Sequence, residues 1–152
     1  ELGLARTYFS GFRPVADTPL ADREPVSTVR EHRLYQAEFV VRAYSFSFDE
    51  LVFDEDDMLP TDRDPKMMAA LAREDEFPIE VNTAERWELL RVPGIGLTAA
   101  ERIVGLRGKH KLTSLKHLAV LGARSDRARN FVTLNGRYVP REEPAMQLSM
   151  GL

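Results

Sequence analysis

Cysteine is missing from all 152 residues of the chain. That absence removes disulfides, thiolate nucleophiles, iron–sulfur ligation and the usual zinc sites together. Long apolar runs are missing as well. Nothing approaches the roughly 20 consecutive apolar residues that a membrane span needs, and no secretory signal opens the chain, so a soluble, cytoplasmic protein with no membrane partner is expected. The three histidines, His32, His110 and His117, share no metal-ligand spacing. There is no Ser/His/Asp nucleophile pattern, no Gly-rich phosphate loop after a strand and no convincing carboxylate pair, so no catalytic residue is assigned. The acidic run Asp54-Glu55-Asp56-Asp57, with Asp62 and Asp64, lacks the alternating acids and central Gly of a calcium loop and reads as a solvated loop.

A net charge of −3 would by itself argue against a nucleic-acid partner, but its distribution is uneven. From Phe48 to Glu85 thirteen acids face only Arg63, Lys66 and Arg73, a net of −10; from Arg86 to Arg141 twelve Lys or Arg face Glu88, Glu101 and Asp126, a net of +9. A basic module follows an acidic one. With 43% apolar residues the chain can bury one core of ordinary size or two small ones.

Read from the start, Ala5 to Phe12 predicts a strand without a visible partner, and Arg13-Pro14 to Leu20 a loop. Thr28-x-x-Glu31 predicts a capped helix of roughly 16 to 18 residues, with Leu34, Ala37, Val41 and Tyr44 on one face. Asp64-Pro65 predicts the start of another helix, ending before Phe77-Pro78. Asn82-x-x-Glu85 predicts the cap of a third, with Trp87 and Leu90 packed inward. Ser114 to Leu121, the turn Gly122-Ala123-Arg124, and Asp126 to Phe131 have the lengths of a further helix, turn and helix. Phe131 to Val139 predicts a β-hairpin around a type I′ Asn135-Gly136 turn. The fold class is therefore mainly α, with a lone N-terminal strand and a small C-terminal β-hairpin, and a loose tail after Pro140.

Arg91 to Arg107 carries the most information. Pro93-Gly94-Ile95-Gly96 is a tight turn between two amphipathic segments, and its glycines allow backbone angles and close approaches that a Cβ would block. Thr98 with Glu101 predicts a capping box, so that the free amides of a helix N-terminus point back at the turn. Leu89, Leu90, Ile95, Ala99, Ile103, Val104 and Leu106 supply the apolar seam. The stretch from Val92 to Ile103 resembles the helix-hairpin-helix motif, and residues 114–131 read as a second, degenerate hairpin. The resemblance implies sequence-independent contact with the DNA backbone. Carried over, it has the amides of Gly94, Ile95 and Gly96, with Thr98, holding a phosphate, while Arg91, Arg102, Arg107 and Lys109 add charge beside it, followed by His110 and Lys111. It also implies a monovalent cation on the backbone carbonyls of Leu90, Val92 and Ile95.

A wider resemblance rests on Tyr8-Phe9-Ser10-Gly11-Phe12-Arg13-Pro14, Arg30 to Ala37, Asp64-Pro65-Lys66 and Arg91 to Gly96, in that order. Together they resemble the C-terminal part of the DNA modification and repair radical SAM proteins, through about Leu134. That similarity implies a preceding catalytic barrel with a 4Fe-4S cluster and S-adenosylmethionine. This chain, without cysteine, cannot hold the cluster, and Glu1 has no Met before it, so the reading is a fragment of a longer enzyme with no cofactor of its own. The expected organisation is 1–22 as the end of a barrel, 23–81 as a helical connector, 82–134 as the DNA-binding module and 135–152 as turn and tail. Arg30, Glu31, His32, Arg33 and Gln36 are candidates to line a cleft against that barrel. Two other uses of the same residues stay open: a protein-interaction module in which the acidic segment meets a basic surface, and an architectural cover for the barrel.

Overall fold

The structure is a computed structural model, and it describes residues 6–138. Its main helix, α1 (Thr28–Tyr44), has the predicted length, but Ser27 caps it by accepting from the Arg30 amide, and Ser45 closes it in the left-handed conformation. The expected Thr28–Glu31 box does not form, because Glu31 turns to the Gly11 amide at 3.0 Å. That bond belongs to a second correction. Residues 6–15 form no strand. With no neighbouring strand to pair with, the Phe9 backbone exchanges both of its hydrogen bonds with the Tyr35 hydroxyl, and the Phe9 ring packs edge-on against Tyr35 at 5.3 Å. Side chains of α1 thus satisfy a backbone that a sheet would otherwise have taken.

After a 3-10 turn at Phe48–Glu50 and the acidic loop, α2 (Pro65–Ala72) begins as predicted, with Pro65 at its first position and the Asp64 carboxylate accepting from the Met67 amide. Five short elements and one longer helix follow: β1 (Ile79–Glu80), α3 (Arg86–Leu89), α4 (Leu97–Arg107), α5 (Leu115–Val120), α6 (Ser125–Ala128) and β2 (Val132–Leu134). Then β3 (Arg137–Tyr138) folds back antiparallel to β2 through Asn135 (φ 55°) and Gly136 (φ 72°), the positive angles of a type I′ turn. The other end of that predicted hairpin, Val139, and the tail lie outside the described residues.

Sequence periodicity gave no sign of β1, which pairs in parallel with β2 (Ile79 opposite Val132, Glu80 opposite Thr133) and makes the sheet three-stranded in the order β1-β2-β3. The principal core spans the two helical pairs and this sheet, with Leu89, Leu90, Ile95, Ile103, Leu118 and Val132 buried together. It reaches back across residue 82 to Val81 and Ala70. A smaller cluster of Val40, Phe46 and Ala69 joins α1 to α2. Among the described residues no helix is long and apolar enough to cross a membrane.

Candidate functional site

The two helical pairs repeat one another. Gly94 (φ 90°) turns the chain between α3 and α4, and Gly122 (φ 96°) turns it between α5 and α6. Each is followed by a buried residue, Ile95 and Ala123. The turns are joined directly, since the Arg124 amide donates to the Gly94 carbonyl at 2.8 Å. A Cβ on Gly94 would lie 2.5 Å from the Arg124 carbonyl oxygen, so the bare main chain at this position serves contact with the second turn. Gly96, by contrast, has φ −97° and ψ −179°, angles open to any residue. Its expected need for special backbone angles is corrected.

Gly96 is the N-cap of α4 and no side chain caps that end. The expected Thr98–Glu101 box is absent: Thr98 is exposed in the first turn of the helix, and Glu101 pairs with Arg86 at 3.1 Å. The amides of Gly94, Gly96, Leu97, Thr98 and Ala99 find no acceptor among the described residues, the ordinary condition of a helix start. The Ile95 amide is not available, because it donates to the Val92 carbonyl at 3.1 Å.

The expected cationic residues divide into two groups. Arg91 is built into the interior. Its guanidinium grips Glu50 through two bonds of 2.9 Å, donates to the carbonyls of Tyr44, Ser45 and Trp87, and lies against the rings of Phe46 and Trp87. Burial would raise the Glu50 carboxyl, but the bonds from Arg91 and the Ser47 amide outweigh it and hold the group below its ordinary value. Arg107 likewise donates to the carbonyls of Val81 and Ala84. Both guanidinium groups thus fasten parts of the chain to one another, which their position beside the turn did not reveal. Trp87, expected inside, is 58% exposed, and Leu90 alone of that pair is buried. Asn82 does not cap α3: Glu85 does, and Asn82 bridges Glu80 to Leu112.

Arg102, Lys109, His110 and Lys111 are exposed. Arg102 reaches the second turn, donating to the Leu121 carbonyl at 3.4 Å and lying beside Gly122. Arg124, exposed and not anticipated as a site residue, stands beside the first turn through its bond to Gly94. Each turn therefore has next to it an arginine supplied by the other pair.

Lys66 also was not among the expected site residues. It is buried, at 8% exposure, and its ammonium donates to the Ile95 carbonyl at 2.5 Å and sits over the Tyr44 ring at 4.6 Å. Burial lowers its pKa from 10.5 to about 7; Asp64 opposes the shift, and Arg127 and Arg91 add to it. A lone Lys in the apolar sequence Pro65-Lys66-Met67-Met68-Ala69-Ala70 was the available signal. Of the three carbonyls expected to bind a monovalent cation, Ile95's is thus taken by the protein's own ammonium, and Val92's accepts the Ile95 amide. Asp64, paired with Arg127, is held below its ordinary pKa: burial would raise it, and the bonds from Arg127 and the Met67 amide prevail.

In the acidic loop Asp54 accepts from the amides of Asp56 and Met58, and no group of three or more His, Cys, Asp or Glu suited to a metal occurs among the described residues. On α1, Arg33 donates to Gln36 and to the Thr61 carbonyl, and His32 is exposed. An apolar cleft of about 560 Å³ opens between the N-terminal segment, α1 and the 48–59 region, lined by Phe9, Leu34, Val41, Phe48, Phe53 and Leu59 among others. No family profile, curated protein or solved structure matches the chain.

Proposed function

We propose that residues 82–134 are a helix-hairpin-helix module that binds the DNA backbone without regard to sequence and positions a radical-SAM barrel, with its cluster and S-adenosylmethionine, that lies outside these 152 residues. The observation that carries this reading is the row of unused amides from Gly96 to Ala99 at an uncapped helix start, with Arg102 and Arg124 exposed beside the paired turns. Such an end attracts anions through its donors and its dipole together. A phosphate would take the Gly96, Leu97 and Thr98 amides, and the two arginines would neutralise neighbouring phosphates and release counterions. Lys109, His110 and Lys111 extend the positive surface from the far end of α4.

Fluorescence anisotropy on two unrelated duplexes across a salt series tests the proposal. With only a few phosphates in reach, the expected dissociation constant is about micromolar at physiological salt and similar for both duplexes. The double variant Arg102→Glu, Arg124→Glu is expected to abolish binding at moderate salt while the circular dichroism spectrum stays unchanged. Absence of binding by the parent even at low salt would sink the reading.

The apolar cleft favours a second role for the N-terminal half. Phe48 is 68% and Tyr8 76% exposed next to it, and α1 buries only Ala37 and Val40 of its seventeen residues. A helix so little covered by its own chain suits the architectural reading, in which this half lies against the barrel. Co-purification of a separately expressed barrel, lost on Phe48→Glu, would support it.

A further inference from the structure

Val120 is 83% exposed, more than any other large apolar side chain among the described residues. A scattered surface valine needs no explanation, but this one belongs to a groove. With Leu106, Leu112 and Leu121 it lines an apolar recess of about 230 Å³ between the end of α4 and α5, whose remaining walls are His110, Lys111 and His117. The charge around that recess has one sign. From Arg102 to Arg124 there are six Lys or Arg and no Asp or Glu. Arg107 is engaged by the Val81 and Ala84 carbonyls and Arg102 by that of Leu121, whereas Lys111 in the wall and Lys109 two residues before it are exposed. An apolar floor under a purely cationic rim fits an apolar side chain carried among carboxylates.

The acidic half of the same chain presents that combination. From Asp54 to Asp64 six acids face only Arg63. Asp64 is paired with Arg127, and Asp62 lies beside Arg63, but Glu55, Asp56 and Asp57 stand exposed at the tip of the loop, followed directly by Met58, 41% exposed. A methionine is flexible and polarizable, and fills an irregular apolar recess well. The Asp54 carboxylate accepts from the Asp56 and Met58 amides, so the tip is ordered before any partner arrives and loses little entropy on docking.

We propose that the groove between α4 and α5 docks the 55–58 tip of a second copy of this chain, with Met58 on Leu106, Val120 and Leu121 and the carboxylates of Glu55, Asp56 and Asp57 facing Lys109 and Lys111. The contact is head to tail. Every copy offers one groove and one tip, so association continues past a pair unless the rotation closes a ring. The proposal does not rest on the DNA-backbone reading, although both use Lys109 and Lys111, so that a bound duplex and a second copy exclude one another.

The experiment is sedimentation velocity on the full chain without DNA. One small groove makes a contact of the transient class, so the protein is studied at about 100 μM. At about 50 mM salt the mean mass should rise with concentration above that of one chain, and at about 0.5 M salt it should return to it. Two variants separate the halves of the contact: Lys109→Glu with Lys111→Glu alters the groove, and Glu55→Gln with Asp56→Asn and Asp57→Asn neutralises the tip. All five side chains are exposed, and circular dichroism checks each fold. Either variant alone should remain single. Mixed in equal amounts they should form pairs and stop there, because the mixture holds one intact groove and one intact tip. Val120→Glu should abolish association of the otherwise unchanged chain. A parent that stays single at low salt overturns the proposal, as does association that survives either set of substitutions, or a mixture that does not pair. A parent that stays single while Lys109→Glu with Lys111→Glu removes duplex binding in anisotropy gives this surface to DNA and overturns the proposal too. The salt dependence of the parent decides the matter even where a variant fails to fold: association that is indifferent to salt overturns the charge-matched docking.

Discussion

Lys66 gives the fold an unusual dependence on pH. The unfolded chain keeps this proton to about pH 10.5, whereas the folded chain releases it near 7, so between those values the unfolded state binds more protons and stability rises with pH. From the two pKa values the gain between pH 7 and 9 is about 2 kcal/mol. The perturbation that isolates it is Lys66→Met. This change leaves the Ile95 carbonyl without its donor, which costs about 1 kcal/mol at any pH, and removes the titration. Urea denaturation of both proteins at pH 6, 7, 8 and 9 therefore has a clear expectation: the variant compares best at pH 6, and the parent gains on it by about 2 kcal/mol from pH 7 to 9. Groups common to both proteins, including Tyr44, whose pKa burial raises, cancel in the comparison. Parallel stability profiles would refute the reasoning, because a lysine that keeps its ordinary pKa gains nothing over this range.

Four other substitutions test further parts of the structure. Gly94→Ala places a Cβ 2.5 Å from the Arg124 carbonyl at φ 90° and should destabilise by about 2–4 kcal/mol, whereas Gly105→Ala, with nothing within 4 Å inside α4, should stabilise by about 0.5–1 kcal/mol; urea midpoints distinguish them. Arg91→Lys loses the two-bonded grip on Glu50 and the stacking on Phe46, and should cost about 2 kcal/mol while leaving the salt dependence of the proposed DNA binding unchanged in anisotropy. Glu80, whose carboxylate accepts from the Asn82, Asn135 and Gly136 amides, is held below its ordinary pKa: burial opposes the shift and those bonds outweigh it. Its contribution is present above the ordinary carboxyl range and is lost as pH falls through the folded value, so the stability gap between the parent and Glu80→Gln should close on acidification in a thermal-melt series.

The features legible in the sequence were those whose cause is local. Asp64-Pro65 marks a helix start because both residues act on their own first turn, and Asn135-Gly136 marks a hairpin because both adopt positive φ. The second helical pair was visible in its lengths alone, from Ser114 onward. Caps were less legible, since a Ser, Thr or Asn three residues before a Glu recurs by chance: Ser27, Glu85 and Gly96 took the positions expected for Thr28, Asn82 and Thr98. What remained hidden was set by partners far along the chain. Residues 79–80 are too few to show alternation and become a strand only because Val132 and Thr133 lie beside them. Arg91 and Arg107 carry the same charge as Arg102, and only the positions of Glu50 and of the Val81 and Ala84 carbonyls make them fasteners. Phe9 to Phe12 has the composition of a strand and lacked a neighbour to make it one.

The parallel pairing of β1 with β2 has a practical consequence for anyone wishing to shorten this protein. Residues 82–134 are the stretch proposed above to bind DNA, yet a piece cut there would leave one edge of Val132–Leu134 bare, remove Val81 from the core and lose the lysine seated on Ile95. Such a piece is expected to aggregate or to melt well below the parent, since an uncovered strand edge invites pairing with other chains. Starting instead at Asp64 keeps the capped α2, the edge strand and the buried amine together. Even that piece gives up Glu50, Tyr44 and Ser45, the partners of Arg91, so the smallest piece expected to fold well is longer than the stretch proposed to bind DNA.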